Sequence, residues 1–511
     1  MSPFPGSLPD RLRRDGWWLT TAMAETGPGP TPAPRAAGPA VWTGAALLVA
    51  TDFLVWGHHP GLGVILAGTL CLVAASVHAC ATRDQNTRAA AAFLIGALPM
   101  IEASGPIPAM FLILGTGSAL VFLTAHISTP RDHAHNLKRL ATRTPFRFLQ
   151  SAARLSRSRL GRVAFGPILS GWLAALTMGA VFAALFAMAN PIIGTMIGAI
   201  LSADWASVLS LPRLLFWSTA AVTIGTLLHH RGKPAARPAS RRARPAPRWL
   251  AAPAITNALI LFNVLFAAQT LLDLTYLWGG ITLPDDMTYA EYAHSGAYPL
   301  MATAILAGGF MLAATAFGPP TALNRKLLGL WIAQNLLLLA SSVLRLDLYV
   351  GTYQLTYLRL AAFIWMALVA AGLGLMAWRI WCGHTNHWLL TRCAALTLAT
   401  LYACCFVNFA HVIASHNVRN AQELSGTGQP LDLVYFSTLG PQAQYAADIF
   451  AAHPNGNVIP GFGTPSQPGW RYSETALAPN WRAWGFRDHR LARYLAATQP
   501  PEVTRAQDPH R

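Results

Sequence analysis

Apolar blocks and short polar linkers alternate along this chain from about residue 41 to residue 413. Crossing about 30 Å of hydrocarbon takes roughly 20 apolar helical residues. Blocks near that length recur at about 41–57, 62–82, 89–104, 108–127, 165–188, 212–229, 253–275, 297–317, 328–345, 358–380 and 389–413. The pattern predicts an all-α integral membrane protein, a polytopic helical bundle of about 11 transmembrane helices with a small extracytoplasmic C-terminal region. Turns such as His58-His59-Pro60-Gly61 and Gly105-Pro106 separate the first blocks, because proline and glycine interrupt helices. Asn190-Pro191 follows the fifth. The apolar run Ile192 to Leu201 behind it is too short to cross, so residues 191–205 are expected to lie on or re-enter the outer surface.

The polar stretches divide the chain further. Residues 1–40 read as a disordered cytoplasmic N-terminus: Arg11, Arg13 and Arg14 precede only a short Trp17-Trp18-Leu19 patch, not a cleavable signal, and Pro28 to Pro39 is proline-rich. Residues 41–130 hold the first four blocks, 131–163 a basic cytoplasmic segment, and 164–230 blocks five and six. An Arg/Pro-rich cytoplasmic linker fills 231–250, residues 251–414 carry blocks seven to eleven with polar outer loops, and 415–511 form the tail. In the basic segment, Leu137, Leu140, Phe146, Phe148, Leu149 and Leu155 lie among Arg and Lys from His135 to Arg162. That pattern fits a helix on an anionic inner leaflet, and a solvated linker fits it equally.

Composition excludes a soluble protein: 53% of residues are hydrophobic and only 11% charged. A net charge of +17 would favour nucleic acid if the cations lined one groove. Here they lie between apolar blocks, so no nucleic-acid partner is expected. The N-terminus and the linkers after blocks two, four, six, eight and ten hold or adjoin 26 of the 37 Lys and Arg. The intervening linkers have only Arg213, Arg345 and Arg359 at their edges. Cytosolic retention of cations then predicts the N-terminus inside and the tail outside. The expected partners are the bilayer and, through the cytoplasmic Arg clusters, anionic headgroups. Lys occurs only at Lys138, Lys233 and Lys326 among many Arg and Ala, a bias that points to a GC-rich bacterial genome; the expected location is a bacterial inner membrane. No cysteine falls in the tail, so no disulfide framework is expected there.

Polar groups at membrane depth are the leads to chemistry, because burying them is expensive. The seventh block carries Asn257, Asn263, Gln269, Thr270 and Asp273, with Asn263, Gln269, Thr270 and Asp273 on one broad face. They would line a polar path or tie helices together. The next loop holds Asp285, Asp286 and Glu291, with Thr288 and Glu291 at capping-box spacing. Those acids would bind a cation, act as acid and base, or cap the loop. Gln334, Asn335, Arg345, Asp347, Tyr349, Tyr353 and Arg359 form a second set across blocks nine and ten. Their alternation with leucines allows an extended stretch or a frayed helix end. Asp273, Arg345, Asp347 and Arg359 are expected to form a charge-compensated cluster near the outer face. His384 and His387 lack a third ligand, and no Walker loop, GxSxG, HExxH or CxxC is present. No metal, cofactor or catalytic residue is therefore assigned.

Several stretches are familiar in sequence. Leu272-Asp273-Leu-Thr-Tyr276-Leu-Trp278-Gly279-Gly280, Leu283-Pro284-Asp-Asp-Met287-Thr-Tyr289-Ala-Glu291-Tyr292, Trp331-Ile-Ala-Gln334-Asn335, Ser342-Val-Leu-Arg345-Leu-Asp347-Leu-Tyr349 and Tyr353-Gln-Leu-Thr356-Tyr-Leu-Arg359 resemble the bacterial membrane family catalogued as domain of unknown function 4153/4173. The resemblance implies a multi-pass membrane protein and carries no catalytic residues with it. Three functions fit these features. One is a transporter with a polar site from blocks seven, nine and ten. Another is a sensor or scaffold whose outer tail binds a partner, and the last is an envelope- or lipid-modifying enzyme using Asp285, Asp286, Glu291 or Asp347.

Overall fold

Side-chain caps open most of the well-bounded helices. Thr82 and Gln85 form a reciprocal capping box, and Thr321, Thr356 and Thr385 accept from the backbone N–H three residues on. Each satisfies a donor that the first helical turn leaves unpaired.

The computed structural model describes residues 37–125, 129–146, 149–150, 178, 210–230, 252–273, 275, 308–310, 312, 321–462 and 480–498. Among these residues every regular element is helical. The first six are α1 (Ala37–Val55), α2 (Leu62–Ala79), α3 (Arg83–Glu102), α4 (Pro106–Thr124), α5 (Pro130–Thr142) and α6 (Leu211–His229). Four long helices follow: α7 (Ala252–Asp273), α8 (Ala322–Tyr353), α9 (Tyr357–Cys382) and α10 (Asn386–Phe406). The tail adds α11 (Phe409–Arg419), α12 (Gln422–Ser425), α13 (Leu433–Ser437), α14 (Gln444–Ala452) and α15 (Phe486–Thr498), with short 3-10 turns at Pro441–Ala443 and Trp481–Ala483.

Seven described helices are long and apolar enough to cross a membrane: α2, α4, α6, α7, α8, α9 and α10. The chain is thus a helical membrane protein. The α1 helix is apolar over the shorter Val41–Val55, and α3 carries Arg83, Asp84, Arg88 and Glu102. The blocks expected at 165–188 and 297–317 and the segment 191–205 fall almost wholly outside the described residues.

Two block boundaries differ from expectation. The ninth block does not stop at 345, because α8 runs on to Tyr353 over 32 residues. At 1.5 Å per residue it is about 48 Å long, well beyond the hydrocarbon thickness. Arg345, Asp347 and Tyr349 therefore sit on helix, not on extended chain. The eleventh block breaks at Val407-Asn408, where the Asn408 side chain accepts from His411 N–H and starts α11 afresh. The amphipathic helix expected from His135 opens earlier, at Pro130.

The chain divides into two compact units. The first takes residues up to Phe53, Leu70–Cys80 and Arg139–His230. Its core joins Leu47 of α1, Cys71 of α2, and Ile224 and Leu228 of α6.

In the second unit, α3 and α4 cross very closely. A Cβ on Gly96 would lie 2.7 Å from Gly115 Cα and 2.5 Å from Phe111 O. Small residues allow backbones to approach in this way. A Cβ on Gly372 or Gly374 of α9 would meet nothing within 4 Å among the described residues. The α7 and α8 helices run parallel, since Thr256 meets Asn324 and Asn263 meets Leu327 and Gln334. Beyond the bundle, α11, α13, α14 and the following loop enclose a core of Ile413, Val418, Phe436, Phe450, Ile459 and Phe462 that also buries Val350 and Leu355.

Candidate functional site

The polar residues of α7 and α8 form a seam. Thr256 Oγ1 donates to Asn324 Oδ1 at 2.8 Å. Asn263 Nδ2 donates to Leu259 O at 2.7 Å and to Leu327 O at 3.1 Å, while Gln334 Nε2 donates to the Asn263 carbonyl at 3.1 Å. Asn263 and Gln334 are buried, at 6% and 8% exposure. Asn335 turns back to Trp331 O, Gln269 is half-buried and Asn257 is exposed. Interhelical bonds of this kind are worth about 0.6–2 kcal/mol each.

The expected cluster of Asp273, Arg345, Asp347 and Arg359 does not assemble around Arg359, whose guanidinium is committed elsewhere. It donates to the carbonyls of Tyr353 and Gln354 at the end of α8 and lies 4.5 Å from the Tyr349 ring centroid and 5.9 Å from that of Tyr353. A cation on terminal carbonyls complements the helix dipole, and the two tyrosine faces hold it there. Arg345 is buried and Asp347 exposed, on different faces as a two-residue offset requires. Asp285 and Glu291 lie outside the described residues.

The α8–α9 corner is gripped by the tail. Gln354 takes the left-handed region (φ +63) to end α8, and its side chain donates to Pro430 O at 2.7 Å. Asn417 of α11 pairs with both backbone groups of Leu355, accepting from its N–H at 2.8 Å and donating to its carbonyl at 3.0 Å. Tyr435 of α13 accepts from the Tyr357 N–H at 2.8 Å. A carboxamide that satisfies both groups of one residue fixes that backbone as a strand neighbour would.

A second fastening lies on α15. Glu102, at the end of α3, accepts from Arg487 at 3.3 Å and from Arg490 at 2.7 Å. Arg487 also donates to the Cys405 carbonyl at 2.9 Å, closing the end of α10. Nearby, Asn408 donates to Gln442, and Gln442 donates to Asp488 at 2.8 Å. Burial pushes the Asp488 carboxyl above its ordinary range and Glu102 adds to this, opposed by the Gln442 hydrogen bond and by Arg487 and His59. The Trp481–Ala483 turn sits on the α1–α2 linker: Arg482 lies 2.7 Å from His58, Leu62 N–H donates to Trp484 O, and a Cβ on Gly61 would clash with Ala483 at 2.7 Å. The linkers 56–61, 103–105 and 354–356 therefore share one end of this unit with the tail.

The first unit holds an ion pair of its own. Asp52 accepts from Arg213 Nε at 3.1 Å and from Trp217 Nε1 at 2.8 Å. Sequence reasoning missed Asp52, Glu102 and Asn417. A carboxylate inside an apolar block was the available signal for Asp52, but nothing local marks the other two. His384 stacks on Trp388 at 4.3 Å.

No curated protein and no solved structure matches the chain. One family does, described as a domain of unknown function, and its match ends just short of the close of α14. With residues 44–448 covered, the chain belongs to the DUF4153 family.

Proposed function

We propose that the chain is a membrane sensor or scaffold whose C-terminal helical cap binds a partner at the outer face and transmits its state to the bundle. The observation that carries this reading is the double fastening of the cap. Asn417 holds the α8–α9 corner, and Arg487 ties α3 and α10. A cap joined to four helix ends moves them together, which a passive tail does not. With arginine-rich linkers retained in the cytosol, the cap faces the periplasm of a bacterial inner membrane. The α5 helix then meets the inner leaflet, with Arg131, His135 and Lys138 exposed toward anionic headgroups. Replacing the chain by one ending at Phe406 in a deletion host is the test. The expected outcome is a truncated protein that inserts and accumulates but does not complement the deletion phenotype, and full complementation contradicts the reading.

A second reading, transport of a small solute, is favoured by the buried α7–α8 seam alone. It expects Asn263→Leu to change uptake or export of a solute at unchanged protein level.

A further inference from the structure

The tail closes the start of α2 from more than 400 positions away. Leu62, the first residue of α2, donates its N–H to Trp484 O at 3.2 Å. Two glycines let the Trp481–Ala483 turn come this near. A Cβ on Gly61 would lie 2.7 Å from Ala483 O, and one on Gly63 would lie 3.2 Å from Arg482 O. Three successive tail carbonyls thus lie against the first turn of a spanning helix, where N–H groups lack partners and the helix dipole is positive. One side-chain contact fastens the turn there: Arg482 Nη1 lies 2.7 Å from His58 Nε2.

That contact dictates a protonation state. A guanidinium has five N–H donors and no acceptor, so His58 Nε2 is the unprotonated, accepting nitrogen and the ring proton sits on Nδ1. A proton on Nε2 would remove the acceptor and set an imidazolium against a guanidinium. The neighbouring charged groups are engaged elsewhere. Glu102 of α3 is held by Arg487 and Arg490, and Asp488 of α15 accepts from Gln442 and is influenced by His59. His489 of α15 lies 5.9 Å from the Trp484 ring and adds like charge to the turn when protonated. We propose that His58 and Arg482 form a proton-operated latch, closed at neutral pH and opened when the outer compartment acidifies. Docking and protonation at Nε2 exclude one another, so the latch contributes fully above the histidine range and is lost as pH falls through it. Asp488 acts with the opposite sign, because its raised carboxyl holds the proton in the folded state. Acid therefore frees the turn from α2 while α15 stays on α3. The latch rests on the sensor reading and names its stimulus, since a compartment outside the membrane follows the pH of the medium.

Amide hydrogen exchange of the full chain in lipid nanodiscs tests it, comparing wild type with His58→Gln, whose carboxamide oxygen accepts from Arg482 without titrating. Comparing both chains at each pH cancels the intrinsic chemistry of exchange. At pH 8 the Leu62 amide is expected to exchange equally in both. At pH 5.5, one unit below the ordinary histidine value, it is expected to exchange about tenfold faster in the wild type, with α15 amides unchanged. Should His58→Gln not fold, the same rise is read in the wild type alone against the α14 amides, after correction for intrinsic rates. A wild-type Leu62 amide that stays as protected at pH 5.5 as at pH 8 overturns the latch and leaves the sensor reading in place. A latch that opens in acid, in a protein whose truncation at Phe406 still complements, removes the sensor reading and leaves the latch standing.

Discussion

Arg487 Nε reaches across 385 positions of sequence to donate to Glu102, and its Nη2 donates to the Cys405 carbonyl. Both side chains of the pair are well shielded, at 15% and 11% exposure. Arg490 adds a second hydrogen bond to the same carboxylate oxygen. One acidic residue at the end of α3 thus collects two arginines from the last described helix.

Glu102→Ala leaves both arginines without their carboxylate. Hydrogen bonds to charged groups are worth about 1.5–3 kcal/mol, so α15 is expected to detach before the rest unfolds. Limited proteolysis of the purified protein checks this: cleavage between 463 and 498 should accelerate strongly, while the cap core around Phe436 and Phe450 stays protected.

Asn417→Leu removes both partners of the Leu355 backbone inside an apolar core. Each buried group left unpaired costs about 1–3 kcal/mol. Thermal unfolding should show a lower first transition, and hydrogen exchange at Leu355 should rise by orders of magnitude. Asn417→Asp is expected to leave the first transition low, since the carboxylate cannot donate to the Leu355 carbonyl, while slowing exchange of the Leu355 N–H relative to Asn417→Leu, since it still accepts from that group.

Gly96→Leu places a side chain where the α4 backbone already lies. Overpacking costs about 1–3 kcal/mol, and here the obstacle is backbone, which cannot rotate away. Reduced accumulation in the membrane and a lower melting temperature are expected. Gly372→Leu, in open space, should leave both unchanged.

Asp488 gives the cap a pH dependence. Its folded carboxyl titrates above the unfolded one, with burial the leading cause. The folded state therefore holds the proton more tightly, and the group's contribution is full below the ordinary carboxylate range. It is lost as pH rises through the raised value. Docking of α15 should tighten as pH falls from neutral into the mildly acidic range, and Asp488→Asn should flatten that part of the wild-type profile.

Much of the bundle was legible because lipid imposes one rule on every span. The seventh block, read as 253–275, emerges as Ala252–Asp273, and the polar residues along it were visible as exceptions. Their partners were not. Arg359 was read as one member of a charge cluster, yet it serves the carbonyls of Tyr353 and Gln354. Helix-end capping competes for a guanidinium as strongly as a distant carboxylate does, and spacing alone does not rank the two. The α8 extension was missed since residues 346–353 mix polar and apolar side chains, as a helix leaving the bilayer for a protein cap does. The tail was hardest: Asn417 and Glu102 are ordinary polar residues until a segment far along the chain folds onto them.

The central claim is that the tail folds onto the outer ends of the membrane helices. A chain with its native cysteines replaced, carrying His58→Cys and Arg482→Cys, tests position and sidedness together. The account predicts rapid cross-linking of the two thiols in intact cells by a short, membrane-impermeant bifunctional reagent. Failure to cross-link, or cross-linking only after the membrane is permeabilised, would contradict it.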